Sequence, residues 1–167
     1  MFTSGKIITL IAAIAVARGE DLIQPPMLTC GTGSPVYLSA VKSRATIAGP
    51  SGTVASFDTR LYKGATTEAG LSTAAPSFPG PTLVFVPGEV CELKLVNDLP
   101  VANPPCDASH SNTLHCADVT NLHTHGLHVS AKEDDVAVKV APGESHTYRY
   151  TMPADHMAGT MWAHAHR

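Results

Sequence analysis

The clearest alternation of apolar and polar positions runs through FPGPTLVFVPGEVCELKLVNDLP, residues 78–100. Leu83 and Phe85 alternate with Val84 and Val86, and Pro87-Gly88 supplies a turn. Cys91, Leu93 and Leu95 then share one face, with Glu92 and Lys94 on the other. Successive residues of a strand point to opposite faces, so this predicts two strands, the second buried on one side only. Weaker alternation predicts strands in SPVYLSAV (34–41) and SFDTRLYKG (56–64), followed by a small, polar loop at TTEAGLSTAAPS (66–77). After the proline-bearing polar stretch 101–118, three more strands are predicted around 136–140, 146–151 and 160–166, separated by Pro-Gly and Ala-Gly turns. No stretch predicts a helix longer than a turn or two.

One apolar run breaks this pattern. MFTSGKIITLIAAIAVARGED opens with a lone lysine, Lys6, and is apolar over residues 7–17. That run is short for a bilayer crossing and ends in the small residues Ala15-Val16-Ala17, so residues 1–17 read as a secretory signal peptide rather than an anchor. Residues 18–56 are then an N-terminal extension with the first strands, and 57–167 the main domain. An exported chain places its four cysteines in an oxidising compartment. Cys106 and Cys116 bracket a loop whose closure by a disulfide would contribute about 3 kcal/mol. Cys30 and Cys91 are left either paired with each other or free and buried.

Composition narrows the class. With 44% hydrophobic and 15% charged residues, the 167-residue chain can bury a core and is not a disordered segment. Its 13 glycines and 13 prolines between short β-branched runs fit an all-β protein. A net charge of −3 offers no basic surface for nucleic acid.

The candidate chemistry lies in the nine histidines. NLHTHGLHVS (121–130) places His123 and His125 two apart, and MWAHAHR (161–167) repeats the spacing with His164 and His166. On a strand, residues i and i+2 project from one face. If the two strands are neighbours, four imidazoles converge, and each buried without a partner would lose about 1–3 kcal/mol. A shared metal removes that penalty. Imidazole suits zinc, copper, iron or nickel, and copper binds most tightly among these divalent ions. His128 falls on the opposite face, while His110, His115, His146 and His156 fall in loops or on a solvated strand face and read as surface residues. A His-Glu-x-x-His helix, a Cys-x-x-Cys pair and a Gly-x-Ser-x-Gly elbow are all absent from the sequence, which sets aside the zinc and serine chemistries they carry.

With these motifs in hand, the sequence resembles the multicopper oxidases, the family of laccases, ascorbate oxidase and ferroxidases. FPGPTLVFVPGEVCELKLVNDL resembles the family's first-domain strand pair, NLHTHGLHVS its His-x-His-Gly motif, and PADHMAGTMWAHAHR its second His-x-His segment. The resemblance covers roughly residues 57–167. It implies a cupredoxin-like (plastocyanin-like) Greek-key β-sandwich, incomplete at its C-terminus, as the first of two or three such domains. It also implies that His123 ligates a type 2 copper and that His125, His164 and His166 ligate a type 3 pair. Those four would be half the ligands of a trinuclear copper cluster that reduces oxygen to water while a small-molecule or metal-ion reductant is oxidised one electron at a time. Two departures stand out. Ala163 replaces the family's usual tyrosine, and no His-Cys-His segment for a type 1 copper is present. The expectation is therefore a partial chain of a secreted oxidase, inactive alone and dependent on the parent's remaining cupredoxin domains. The alternative is a stand-alone secreted copper-binding module, or an inert fragment, without turnover.

Overall fold

In the computed structural model, which describes residues 24–49, 54–102 and 116–166, the alternation at 90–98 becomes the strand around which the rest assembles. Eight strands follow in chain order: β1 (Met27–Cys30), β2 (Val36–Ala48), β3 (Val54–Ala65), β4 (Thr82–Phe85), β5 (Val90–Asp98), β6 (His123–His125), β7 (Ser145–Thr151) and β8 (Trp162–His164). A 3-10 turn, Ala69–Ser72, interrupts the loop at 66–77. Among the described residues no helix is long and apolar enough to cross a membrane.

β3, β2, β5 and β7 form one sheet in that order, with β2 and β5 parallel and the outer pairs antiparallel. β1 pairs in parallel with β4, and β6 antiparallel with β8. Cys91, Leu93 and Leu95 are completely buried, as the alternation requires, and Val36 and Leu38 of β2 and Tyr148 and Tyr150 of β7 join them. Leu28 and Cys30 of β1 complete the same core, with Leu83 and Phe85 of β4 packed against it. The core thus lies between the four-stranded sheet and the β1–β4 pair, the two-layer solution for strands with one apolar face. Each fully buried leucine contributes roughly 1.5–3 kcal/mol. A disulfide between Cys30 and Cys91, with Cα atoms 5.0 Å apart, ties β1 to β5. Cys106 lies outside the described residues, and with it the predicted Cys106–Cys116 bridge. The predicted export segment 1–17, His110 and His115 lie outside them as well.

Four predicted elements differ. β2 runs well past the predicted 34–41 and β3 extends the predicted 56–64 by two residues and one, the two pairing from Tyr37–Ala65 out to Ala48–Val54. β5 accompanies only the first part of β2, from Val36 to Val41, so the far part of this hairpin has no third strand beside it. Residues 136–140 are not a strand. The Ala137 N–H donates to Asp135 Oδ1, the Val138 N–H to Asp135 O, and Val136 O accepts from a side-chain amide, so the backbone is satisfied locally. Only Val140 keeps a ladder contact, an isolated bridge to Thr120. Finally, the last strand is confined to Trp162–His164, rather than 160–166.

The segment leading to β6 is held by buried amides and hydroxyls. Asn97, completely buried, donates through Nδ2 to Asp118 O at 2.7 Å and to Val140 O at 2.8 Å. The buried Tyr148 hydroxyl accepts from the Leu122 N–H at 2.9 Å, one residue before the first histidine. Burial pushes the Tyr148 phenol above its ordinary value, which keeps it neutral in this role.

Candidate metal centre

β6 and β8 pair so that His123 faces His164, Thr124 faces Ala163, and His125 faces Trp162. Thr124 turns into the protein and is buried, while its two histidine neighbours are only partly buried on the other face. The rings of His123 and His125 lie 4.5 Å apart, and His164 lies 5.6 Å from His123 and 5.2 Å from His125. One ligand nitrogen from each of these three histidines falls within 4.8 Å of the other two. His166 is outside that nitrogen set and exposed, though its ring lies 5.4 Å from that of His123 and 6.0 Å from that of His164.

The orientation of each ring has a visible cause. His123 Nδ1–H donates to Asp134 Oδ2 at 2.8 Å, because a carboxylate can only accept. The same carboxylate accepts the Thr124 N–H at 3.1 Å through its other oxygen. His164 Nδ1–H donates to Ala165 O at 2.7 Å. In the neutral form of either ring this leaves the lone pair on Nε2. His125 stacks on the indole of Trp162, centroids 4.0 Å apart and planes 3° from parallel. Its Nε2 lies 3.1 Å from His164 Nε2. Partial burial first, then the charges His123 and His164 would carry, hold His125 below the ordinary imidazole value, so it stays neutral and able to donate its lone pair.

These residues fit a late first-row metal. Two nitrogens each about 2.0–2.1 Å from one ion, at tetrahedral to square angles, are about 2.9–3.3 Å apart. The 3.1 Å between His125 and His164 falls in that range. Neutral imidazoles with hydrogen-bonded far nitrogens are the donor set expected of such sites.

Sequence reasoning passed over Asp134, Asn121 and Trp162. Asn121 is completely buried; its Oδ1 accepts the His166 N–H at 2.7 Å and its Nδ2 donates to Val136 O at 2.9 Å. Asp134 sits in an acidic turn that reads as solvated surface. The available signal was its separation from the His-x-His pair, short enough for a turn to fold back. Glu133 anchors that turn by accepting from the Ser130 and Thr151 N–H groups, and a hydrogen bond with the Thr151 side chain first, then these N–H groups, hold its carboxyl below the usual range. His128 is exposed and His146 lies on β7; neither ring joins the cluster.

A family described as multicopper oxidase matches residues 107–167. A laccase, Laccase-2 of Thanatephorus cucumeris, is 34% identical over 95 residues, a match covering 53% of this chain and 14% of that protein. Among solved structures, a multicopper oxidase variant from the hyperthermophile Aquifex aeolicus superimposes with a TM-score of 0.55 at 18% identity, over 89% of this chain and 25% of its own. A laccase from Pediococcus acidilactici gives 0.50 at 20% identity, over 91% of this chain and 27% of its own. At these identities the structures establish the fold, an all-β cupredoxin-like arrangement. The chain spans about a quarter of each of those two structures.

Proposed function

We propose that this chain, whose residues 107–167 match the multicopper oxidase family and which is 34% identical over 95 residues to a laccase, supplies copper ligands to a type 2/type 3 copper cluster. His123 and His164 would bind through Nε2, which their Nδ1 partners leave bare, His125 would bind through Nε2 in place of its hydrogen bond to His164, and His166 would join from just beyond β8. Copper bound there would supply the redox chemistry by which oxygen is reduced at the expense of an electron donor. The chain's own part is to hold neutral imidazoles at fixed spacing, with Asp134 and Ala165 O setting the rings, so that little reorganisation accompanies binding. Family membership of this segment supports oxygen and a small-molecule or metal-ion reductant as the reactants, and further cupredoxin domains as the partners that complete the cluster. The apolar run at 7–17 supports export from the cell.

The observation that carries this reading is the convergence of three ligand nitrogens within 4.8 Å on one short ribbon. That the compact set numbers three also favours a second reading, a single-copper module without turnover, since three imidazoles with an open position already hold one ion. Copper stoichiometry tests both. More than one copper per chain, in the presence of its partner domains, supports the cluster; one per chain supports the module. Uptake unchanged in a His125→Ala/His164→Ala variant refutes both.

A further inference from the structure

β6 and β8 have three residues each and share three Cα pairs. A ribbon this short does not hold its own register in water. One end is clamped by Asn121, whose Oδ1 accepts the His166 N–H. At the other end, Gly126 adopts φ +94° and passes close to Met161; a Cβ there would lie 3.0 Å from Met161 Cγ and 3.1 Å from its Sδ. Two residues on, the His128 N–H donates to His156 Nε2 at 3.1 Å. His156 Nδ1–H in turn donates to Met157 O at 2.9 Å, and the His156 N–H to Pro153 O at 3.1 Å. The rings of His128 and His156 lie 5.0 Å apart.

We propose that His156 is a positioning residue for the histidine cluster. Its neutral ring bridges the loop leaving β6 (126–130) to the loop entering β8 (153–161). With Asn121 at the opposite end, it fixes the pairing that sets His123 across from His164. An imidazole suits this place because one flat ring accepts at Nε2 and donates at Nδ1 only in a single neutral tautomer, so both loops are tied by one rigid group. His156 touches none of the three clustered histidines; it acts through the register of the strands that carry them. Alanine at 156 removes the hydrogen bond that ties the 126–130 loop to the 153–161 loop, and at that end the register then rests on the Gly126–Met161 contact. Glutamine restores an acceptor and a donor on one planar group and should restore the bridge. The effect on copper rests on the reading of the cluster as a copper site; the bridge itself does not.

The test uses the full chain, first metal-free. Long-range proton–nitrogen correlations should show His156 as the Nδ1–H tautomer. The cross-strand contact between Thr124 and Ala163 should be present in the wild type and in His156→Gln, and lost in His156→Ala, while the Leu93–Tyr148 contact of β5 and β7 persists. Titration with copper should then show affinity at least about tenfold weaker in His156→Ala and within about threefold of wild type in His156→Gln. An Nε2–H tautomer in the wild type overturns the proposal, as does a His156→Ala chain that keeps either the Thr124–Ala163 contact or wild-type copper affinity. Should the alanine variant fail to fold, the wild-type tautomer and the glutamine variant decide, and loss of the contact in His156→Gln overturns it. A wild-type chain that takes up no copper yet shows the tautomer and the contact refutes the copper reading and supports the bridge.

Discussion

Asp134 Oδ2 lies 2.8 Å from His123 Nδ1, while the other oxygen of the same carboxylate takes the N–H of Thr124. One acid thus fixes both a ring and the strand that presents it. Asp134→Asn keeps the shape but replaces one acceptor oxygen with a donor, so His123 can reverse its tautomer and turn its protonated nitrogen toward the site. Copper affinity should fall about 10–100-fold, the usual loss on removing such a partner. Calorimetric titration against a competing chelator reads this directly, and a change under threefold would show that Asp134 does not orient the ligand.

Asn121 closes the end of the ribbon near His166 from a completely buried position. Asn121→Ala leaves the His166 N–H and Val136 O without their partner. Stability should drop by about 1–3 kcal/mol, measured by urea denaturation. The β6–β8 amides should lose protection from hydrogen exchange before those of β5 and β7 do.

The Cys30–Cys91 disulfide closes a loop across a sequence separation of 61. Loop entropy at that length corresponds to about 4 kcal/mol. A Cys30→Ala/Cys91→Ala chain should be destabilised by about that amount or less, with the β1–β4 layer loosening first. Equal stability of the two chains would mean that the core holds β1 to β5 without the bridge.

The lowered value of His125 gives a pH dependence with a definite sign. The unfolded chain takes up a proton there near pH 6.5, whereas the folded chain resists it, first through partial burial and then through His123 and His164. The contribution is intact above about pH 6.5 and is lost as pH falls through the lowered folded value. The denaturation midpoint of the metal-free chain should therefore decline below that pH, and His125→Gln should flatten the decline. A wild-type profile no steeper than that of the variant would contradict the shift.

What the amino-acid pattern revealed, and what it hid, follows from how each element is stabilised. β5 is legible because one of its faces is wholly buried, so Cys91, Leu93 and Leu95 alternate with polar residues. The outer part of the β2–β3 hairpin is not, because from 42 to 47 Ala45 alone is buried and residues 54–58 are exposed, which leaves too short an apolar pattern to read. Residues 136–140 have the apolar alternation of a strand, yet Asp135 and Asn121 take up their backbone groups and keep them out of a ladder. The paired His-x-His motifs were readable as chemistry. The side chains that aim them were not, since Asp134 and Asn121 act across distances set only by folding.

The central claim is that imidazoles from β6 and β8 share copper. X-ray absorption at the copper edge of the loaded chain tests it most directly. The account predicts a shell of at least two imidazole nitrogens per copper at about 2 Å, abolished in His125→Ala/His164→Ala. Copper bound without imidazole scattering, or a spectrum unchanged in that variant, would contradict it.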